Sequence, residues 1–219
     1  MENLPEAIVI RSTAPIKIGV VADTHIPDRV NCLHPNLLAE LRSRKVDYIF
    51  HTGDLSQRNV IDDLQTVAPV FAVRGNRDFF LRKELTKIKI FTINGVRILL
   101  THGHLSPRVY WMDKVSNVLH GYELGRYVHR LSRVDPQAQV FVFGHTHQAE
   151  NSLVHEKLFF NPGGSSVGSA PDFMISYGIL RIDQDGKVER EIIPLTGAVV
   201  KFRRWENGES RHLRENNHS

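Results

Sequence analysis

Between residues 16 and 73, three apolar, strand-like runs (Ile16–Ala22, Tyr48–His51 and Val70–Val73) alternate with two helical patterns. Strands joined through a helix return to the same end of a sheet and pair in parallel, so this alternation commits the chain to an α/β architecture. The first helix is read from His34-Pro35, with proline at the first helical position and Leu37, Leu38 and Leu41 on one face. Ser56 is read as the N-cap of the second, whose buried stripe is Val60, Ile61 and Leu64. Later runs at Lys89–Thr92, Val96–Thr101, Val140–Phe143, Leu158–Phe160, Tyr177–Ile182 and Val188–Ile193 include hairpins, with Asn94-Gly95 and Asp185-Gly186 as tight turns. The order predicts a parallel sheet begun by crossovers and joined by a more antiparallel one.

Residues 105–135 interrupt the strands with a second helical block. Ser106-Pro107 is a helix start, Met112, Val115 and Leu119 mark one apolar face, and Leu124, Val128 and Leu131 mark another across Gly121. The expected organisation is one domain over residues 1–200, with 105–135 as a helical insertion or lid. Residues 201–219, polar and mixed in charge, are expected to form a flexible tail. Tyr110, Trp111, Tyr122 and Tyr127 either stack on a base or aromatic leaving group or pack the two helices together.

The net charge of +4 raises the question of nucleic acid. The excess is divided between residues 105–135 and 201–219, each with five Lys/Arg against three acids, and the rest of the chain is balanced. A phosphate track needs many clustered cations, so nucleic acid is not the expected partner. No apolar run approaches the ~20 residues that span a bilayer, and the first fifteen residues do not read as a secretory signal. One cysteine, Cys32, excludes an internal disulfide framework. A cytoplasmic setting is expected, and homo-oligomerisation stays open.

The residues that carry chemistry fall just after strand-like runs: Asp23-Thr24-His25, His51-Thr52-Gly53-Asp54, Gly75-Asn76-Arg77-Asp78, His102-Gly103-His104 and Gly144-His145-Thr146-His147. In open α/β sheets, ligands bind at the carboxyl ends of strands, so five such ends are expected to converge. Imidazole and carboxylate together suit Mn, Fe, Zn, Ni or Co. One ion cannot use so many side chains, whereas two ions ~3.5–4 Å apart sharing a carboxylate can. Asp-x-His and His-x-His place alternate side chains on one side of an extended segment.

These blocks resemble the calcineurin-like metallophosphoesterase superfamily, and most closely its small bacterial and archaeal phosphodiesterase branch. The family pattern D-x-H, G-D, G-N-x-[D/E], H and G-H-x-H is present in order from residue 23 to 147, and Asn161-Pro162-Gly163-Gly164-Ser165 resembles a following N-P-G-S segment. The resemblance implies a four-layer αββα sandwich of two mixed sheets with helices outside and a metal site at strand C-terminal ends. It implies Asp23, His25, Asp54 and His147 as ligands of one divalent ion. It assigns Asp54, Asn76, His102 and His145 to the second, with Asp54 bridging and manganese the first choice of metal. The implied reaction is hydrolysis of a phosphoester, nucleotide-derived or otherwise, by a hydroxide held between the ions. A protein-binding scaffold of the same fold, similar to the retromer subunit Vps29, is the alternative.

Many relatives carry histidine where this chain has Arg77. Arginine stays charged and cannot be a general acid near neutrality, but it can bind phosphate oxygens. Arg77 therefore either faces the site as a phosphate-binding catalytic residue or turns away to pair with Asp78. His104 is the second catalytic candidate, as a phosphate contact, an orienting group or a loop cap. His51 is read as structural support. His34, His120, His129, His155, His212 and His218 are read as surface or packing residues.

Overall fold

The computed structural model describes residues 4–106, 108, 109, 111–113, 116, 121–169 and 173–208. One sheet has the order β11(Val188–Pro194)-β10(Ser176–Ile182)-β2(Ile16–Val21)-β3(Tyr48–His51)-β4(Val70–Ala72). In it β2, β3 and β4 are parallel, as the helical crossovers require, and β10 runs antiparallel to β2. The other sheet has the order β1(Ile8–Ile10)-β5(Ile88–Ile93)-β6(Val96–Thr101)-β7(Val140–Val142)-β9(Lys157–Pro162)-β8(Ala149–Val154). Here β6, β7 and β9 are parallel, and hairpins join β5 to β6 and β8 to β9.

The two-residue period of the strands divides their side chains between two faces. Ile18, Val20, Phe50, Phe91, Ile98, Leu100, Val142, Phe160 and Leu180 form the core between the sheets, where Phe50 stacks on Phe91 at 4.5 Å. The opposite face of the β2–β4 sheet is covered by α1 (Leu37–Ser43) and α2 (Asn59–Gln65), through Leu37, Leu41, Val60, Ile61 and Leu64. The outer face of the second sheet receives α3 (Leu124–Val134), whose Tyr127 and Leu131 pack on Leu99, Phe141 and Phe159. Four layers result, helices outside two mixed sheets, as expected. Among the described residues no helix is long and apolar enough to cross a membrane.

Several local readings need correction. Helix α1 begins at Leu37 with Asn36 at its N-cap position, so Pro35 precedes the helix and is not its first residue. Ser56 does not cap α2, whose N-cap position is Arg58. Its φ of 72° is left-handed, and its amide is drawn instead to the buried carboxylate of Asp78. The segment expected to be a tail from residue 201 is ordered through 207: β12 (Ala198–Lys201) and β13 (Arg204–Asn207) form a hairpin. The hairpin is fixed by Trp205, which donates to the Cys32 carbonyl and sets its ring edge-on to buried His34 at 4.7 Å. Residues 209–219 lie outside the described residues, as do Pro107, Tyr110, Val115, Leu119 and His120. Tyr127 is a packing residue, stacked on Phe143 at 5.3 Å, and Tyr122 lies against it. Trp111 is 61% exposed.

Candidate metal centre

Because β2, β3 and β4 are parallel, as are β6 and β7, the loops leaving their carboxyl ends meet at one edge of the sandwich. Two clusters of side chains form there. In the first, His25 Nε2 and His147 Nε2 are 3.0 Å apart, at 3.9 and 3.6 Å from Asp23 Oδ1. In the second, His145 Nδ1 lies 3.0 Å from Asn76 Oδ1 and 3.2 Å from His102 Nε2, and the latter two are 3.1 Å apart. Asp54 stands between the clusters. Its Oδ2 is 3.8 Å from His25 Nε2, while its Oδ1 is 3.6 Å from His102 Nε2.

The donor set fits cations. His102 Nδ1 is 2.9 Å from the Thr52 carbonyl, an acceptor only, so Nδ1 carries the proton and Nε2 presents its lone pair to Asn76 Oδ1. Two lone pairs at that separation repel unless a positive charge lies among them. Asp23 Oδ2 accepts the His145 amide at 3.0 Å, but Asp23 Oδ1, fully buried, has no hydrogen-bond partner. Buried carboxylate oxygens without partners are costly, and a metal satisfies them. Among the described residues, three triads have ligand atoms within 4.8 Å of one another: Asp23, His25 and His147; Asp23, Asp54 and His102; and His102, His104 and His145.

Burial sets the protonation states. It holds His25 and His145 down to about 3 and His147 and His104 down to about 4, with neighbouring histidines or cations adding to the effect. These imidazoles are neutral near pH 7 and ready to ligate. Desolvation pushes Asp54 up to about 7 and Asp23 well above the carboxylate range, with Asp54 adding repulsion at Asp23. Burial thus makes both carboxylates hard to charge without a cation.

The backbone is shaped to the same end. Asp23, His25, Asp54, His145 and His147 all have left-handed φ, between 49° and 74°, a region non-glycine residues seldom occupy. A Cβ on Gly75 would sit 2.2 Å from Asp54 Oδ1, and one on Gly144 would sit 2.4 Å from Thr52 Oγ1. Only glycine allows those loops to close on the carboxylates.

His51 supports the loops as expected. Its Nδ1 accepts the Gly53 amide, and its Nε2 contacts Thr24 Oγ1 at 3.2 Å. His104 lies at the edge of the second cluster, its ring 5.3 Å from His102 and 5.5 Å from His145. Arg77 donates its amide to Asp54 Oδ1 at 2.7 Å. The expected alternative of an Arg77–Asp78 pair is not present. Asp78 is buried and accepts the amides of Ser56 at 2.7 Å, Gly75 at 2.7 Å and Asp54 at 2.9 Å, while the Arg77 side chain is exposed.

Two positioning residues lie outside the candidate ligand and catalytic sets. Asp78 ties the Asp54 and Asn76 loops together. Asn161 donates to the Gly144 carbonyl and Thr146 Oγ1 and accepts from Gly163, so it fixes the loop bearing His145 and His147. Both sit inside motifs, at the acidic end of G-N-x-[D/E] and the start of the N-P-G segment, and motif membership is the sequence signal for them.

The calcineurin-like phosphoesterase superfamily domain matches residues 16–185. A probable metallophosphoesterase of Methanothermobacter thermautotrophicus is 35% identical over 183 residues, covering 84% of this chain and 94% of that protein. Another, from Methanocaldococcus jannaschii, is 31% identical over 179 residues, covering 81% of each. Among solved structures, Vps29 of Entamoeba histolytica complexed with zinc aligns with a TM-score of 0.62 at 24% identity, over 82% of this chain and 99% of that one. A novel archaeal phosphodiesterase aligns with a TM-score of 0.54 at 20% identity, over 81% and 100%. At those identities the two structures speak for the fold alone. With the ordered motifs, the sandwich and the extent of the sequence matches taken together, the chain belongs to the calcineurin-like phosphoesterase superfamily.

Proposed function

We propose that this protein is a two-metal phosphodiesterase. In this reading Asp23, His25, Asp54 and His147 hold one divalent ion, and Asp54, Asn76, His102 and His145 hold the other. The observation that carries it is the placement of Asp54, with one carboxylate oxygen toward each cluster. When bound, such ions lower the pKa of water towards ~7 and neutralise charge on phosphoryl oxygens. A carboxamide oxygen and carboxylates beside imidazole favour manganese, with Ni, Fe, Zn and Co as alternatives. The free, exposed Cys32 accords with a cytoplasmic setting.

The chain's own residues then bind and orient. Arg77 has no carboxylate partner among the described residues, and its charge acts on His25, His147 and Asp54. Its role is to bind a phosphoryl oxygen. His104, held down to about 4 by burial, is uncharged near pH 7; its ring N–H can face a phosphoryl oxygen, but it is not the imidazolium that a general acid would need. Protonation of the leaving oxygen is left to solvent, so diesters with acidic leaving groups are the preferred substrates.

Hydrolysis of bis-(p-nitrophenyl) phosphate and p-nitrophenyl phosphate by protein loaded with Mn, Ni, Zn or Co tests this. The diester should be cut faster, Arg77→Ala should lower kcat/KM, and Asp54→Asn should lower it by about 100-fold or more, beyond the loss typical of residues behind a ligand. No turnover with any loaded metal would overturn the reading in favour of a scaffold. Metal content alone does not separate the two, since Vps29 of E. histolytica is itself described with zinc.

A further inference from the structure

Beside the second cluster lies a cavity of about 600 Å³, bordered on the metal side by Asn76 and His104, a volume ordinary for a small-molecule site. Arg74, Arg77, Arg82 and Lys87 line it. None of the four makes an ion pair among the described residues. Elsewhere on the molecule arginines meet carboxylates: Arg44 with Glu191, Arg58 with Glu84, Arg130 with Asp113 and Arg181 with Glu189. Among the described residues the one acid lining the cavity, Asp78, is already engaged by three backbone amides. Four cations are more than the single negative charge of a phosphodiester calls for, because the two clusters would hold divalent ions facing the same group.

The cavity also presents aromatic surface. Phe79 and Trp111 line it and are 58% and 61% exposed. The Arg82 guanidinium lies over the Phe79 ring at 4.9 Å, which orders both side chains without neutralising the charge. Cations interleaved with exposed rings recognise a phosphate attached to a stacking base.

We infer that this cavity binds a second phosphate group together with a nucleobase, so that the substrate is a nucleotide phosphodiester carrying a further phosphate beside the scissile one. The inference rests on the phosphodiesterase reading for the scissile step, but the subsite itself is a binding property. Arg82 and Lys87 are its specificity-determining residues.

The test uses two matched pairs of probes on the full-length, manganese-loaded protein. The hydrolytic pair is thymidine 5′-(p-nitrophenyl phosphate) with and without a 3′-phosphate, at two ionic strengths. The binding pair is thymidine 3′,5′-bisphosphate and thymidine 5′-monophosphate, measured by titration calorimetry. We expect the extra phosphate to raise kcat/KM and affinity by about tenfold, the worth of two or more exposed charge pairs, and the advantage to shrink with salt. In Arg82→Gln/Lys87→Gln the ratio between paired probes should fall towards one. Equal values for the pairs in wild-type protein would overturn the inference while leaving the phosphodiesterase reading intact. Preferential binding of the bisphosphate without hydrolysis of either ester would uphold the subsite and overturn the phosphodiesterase reading instead.

Discussion

Replacing Asp78 by alanine probes how the site is held. The carboxylate is 1% exposed and accepts three backbone amides, from Asp54, Ser56 and Gly75. Each hydrogen bond to a charged acceptor contributes about 1.5–3 kcal/mol, and an orphaned buried donor loses its solvation besides. Yet desolvation raises the Asp78 pKa in spite of those amides, so part of the gain is spent on burying the charge. The lower end of the range applies, and Asp78→Ala should lose about 3–5 kcal/mol, a large share of a typical domain's 5–15. In urea, with a slope near ~2 kcal/mol/M, the midpoint should fall by about 2 M. Metal affinity should fall by about 10–100-fold, because Asp54 and Asn76 lose their common anchor. Asp78→Asn should be milder, since its carbonyl can still accept while its NH₂ must face at least one amide donor. A midpoint shift below about 0.5 M in Asp78→Ala, with wild-type manganese affinity by calorimetry, would refute the reasoning.

Three further outcomes are expected. In metal-free protein the rings of His25, His145 and His147, held down to about 3–4, should show no titration between pH 5 and 8 by NMR. An unfolded chain protonates these rings below ~6.5 while the fold resists until about 3–4, so their contribution is complete above 6.5 and is lost as pH falls. Ring signals titrating near 6.5 would contradict this. Gly75→Ala, whose Cβ would lie 2.2 Å from Asp54 Oδ1, should cost about 1–3 kcal/mol in denaturation and reduce diester hydrolysis together; loss of neither would mean the loop relaxes freely. Trp205→Ala removes the hydrogen bond to Cys32 and the edge contact with His34, and should lower stability by about 1–2 kcal/mol with kcat/KM unchanged.

The blocks of candidate ligands are legible because parallel topology turns a sequence pattern into a spatial one. Once crossovers force β2, β3 and β4 to run together, Asp23, Asp54 and Asn76 must emerge at one edge, whatever the loop details. The edge strands β1 and β8 were not legible. Ile8–Ile10 is three residues long with Val9 59% exposed, and Ala149–Val154 is half polar, with Glu150, Asn151 and Ser152 in a row. Their strand character comes from neighbours that supply hydrogen bonds, and not from their own side chains. Ser56 departs from its local signal for a related reason. A serine before an apolar stripe has the local chemistry of a cap, but a buried carboxylate 22 residues away competes for its amide and wins. Asp78 itself belongs to a motif, yet nothing local distinguishes an acid that binds metal from one that binds amides.

The same competition explains why this edge of the protein is costly to fold. Five left-handed residues cost roughly 1 kcal/mol each or more, and Asp23 and Asp54 are buried beside each other and resist ionisation. A cluster with no ligand to bind would relax by exchanging any of these residues for glycine, asparagine or an apolar side chain. Cations at the site would offset the two carboxylates and relieve that cost. In the two-metal reading proposed above, two divalent ions would leave the centre with excess positive charge. Arg77 and the cations beyond it would stand next to that excess without carboxylate partners among the described residues, and in that reading the charge that balances them arrives with the substrate.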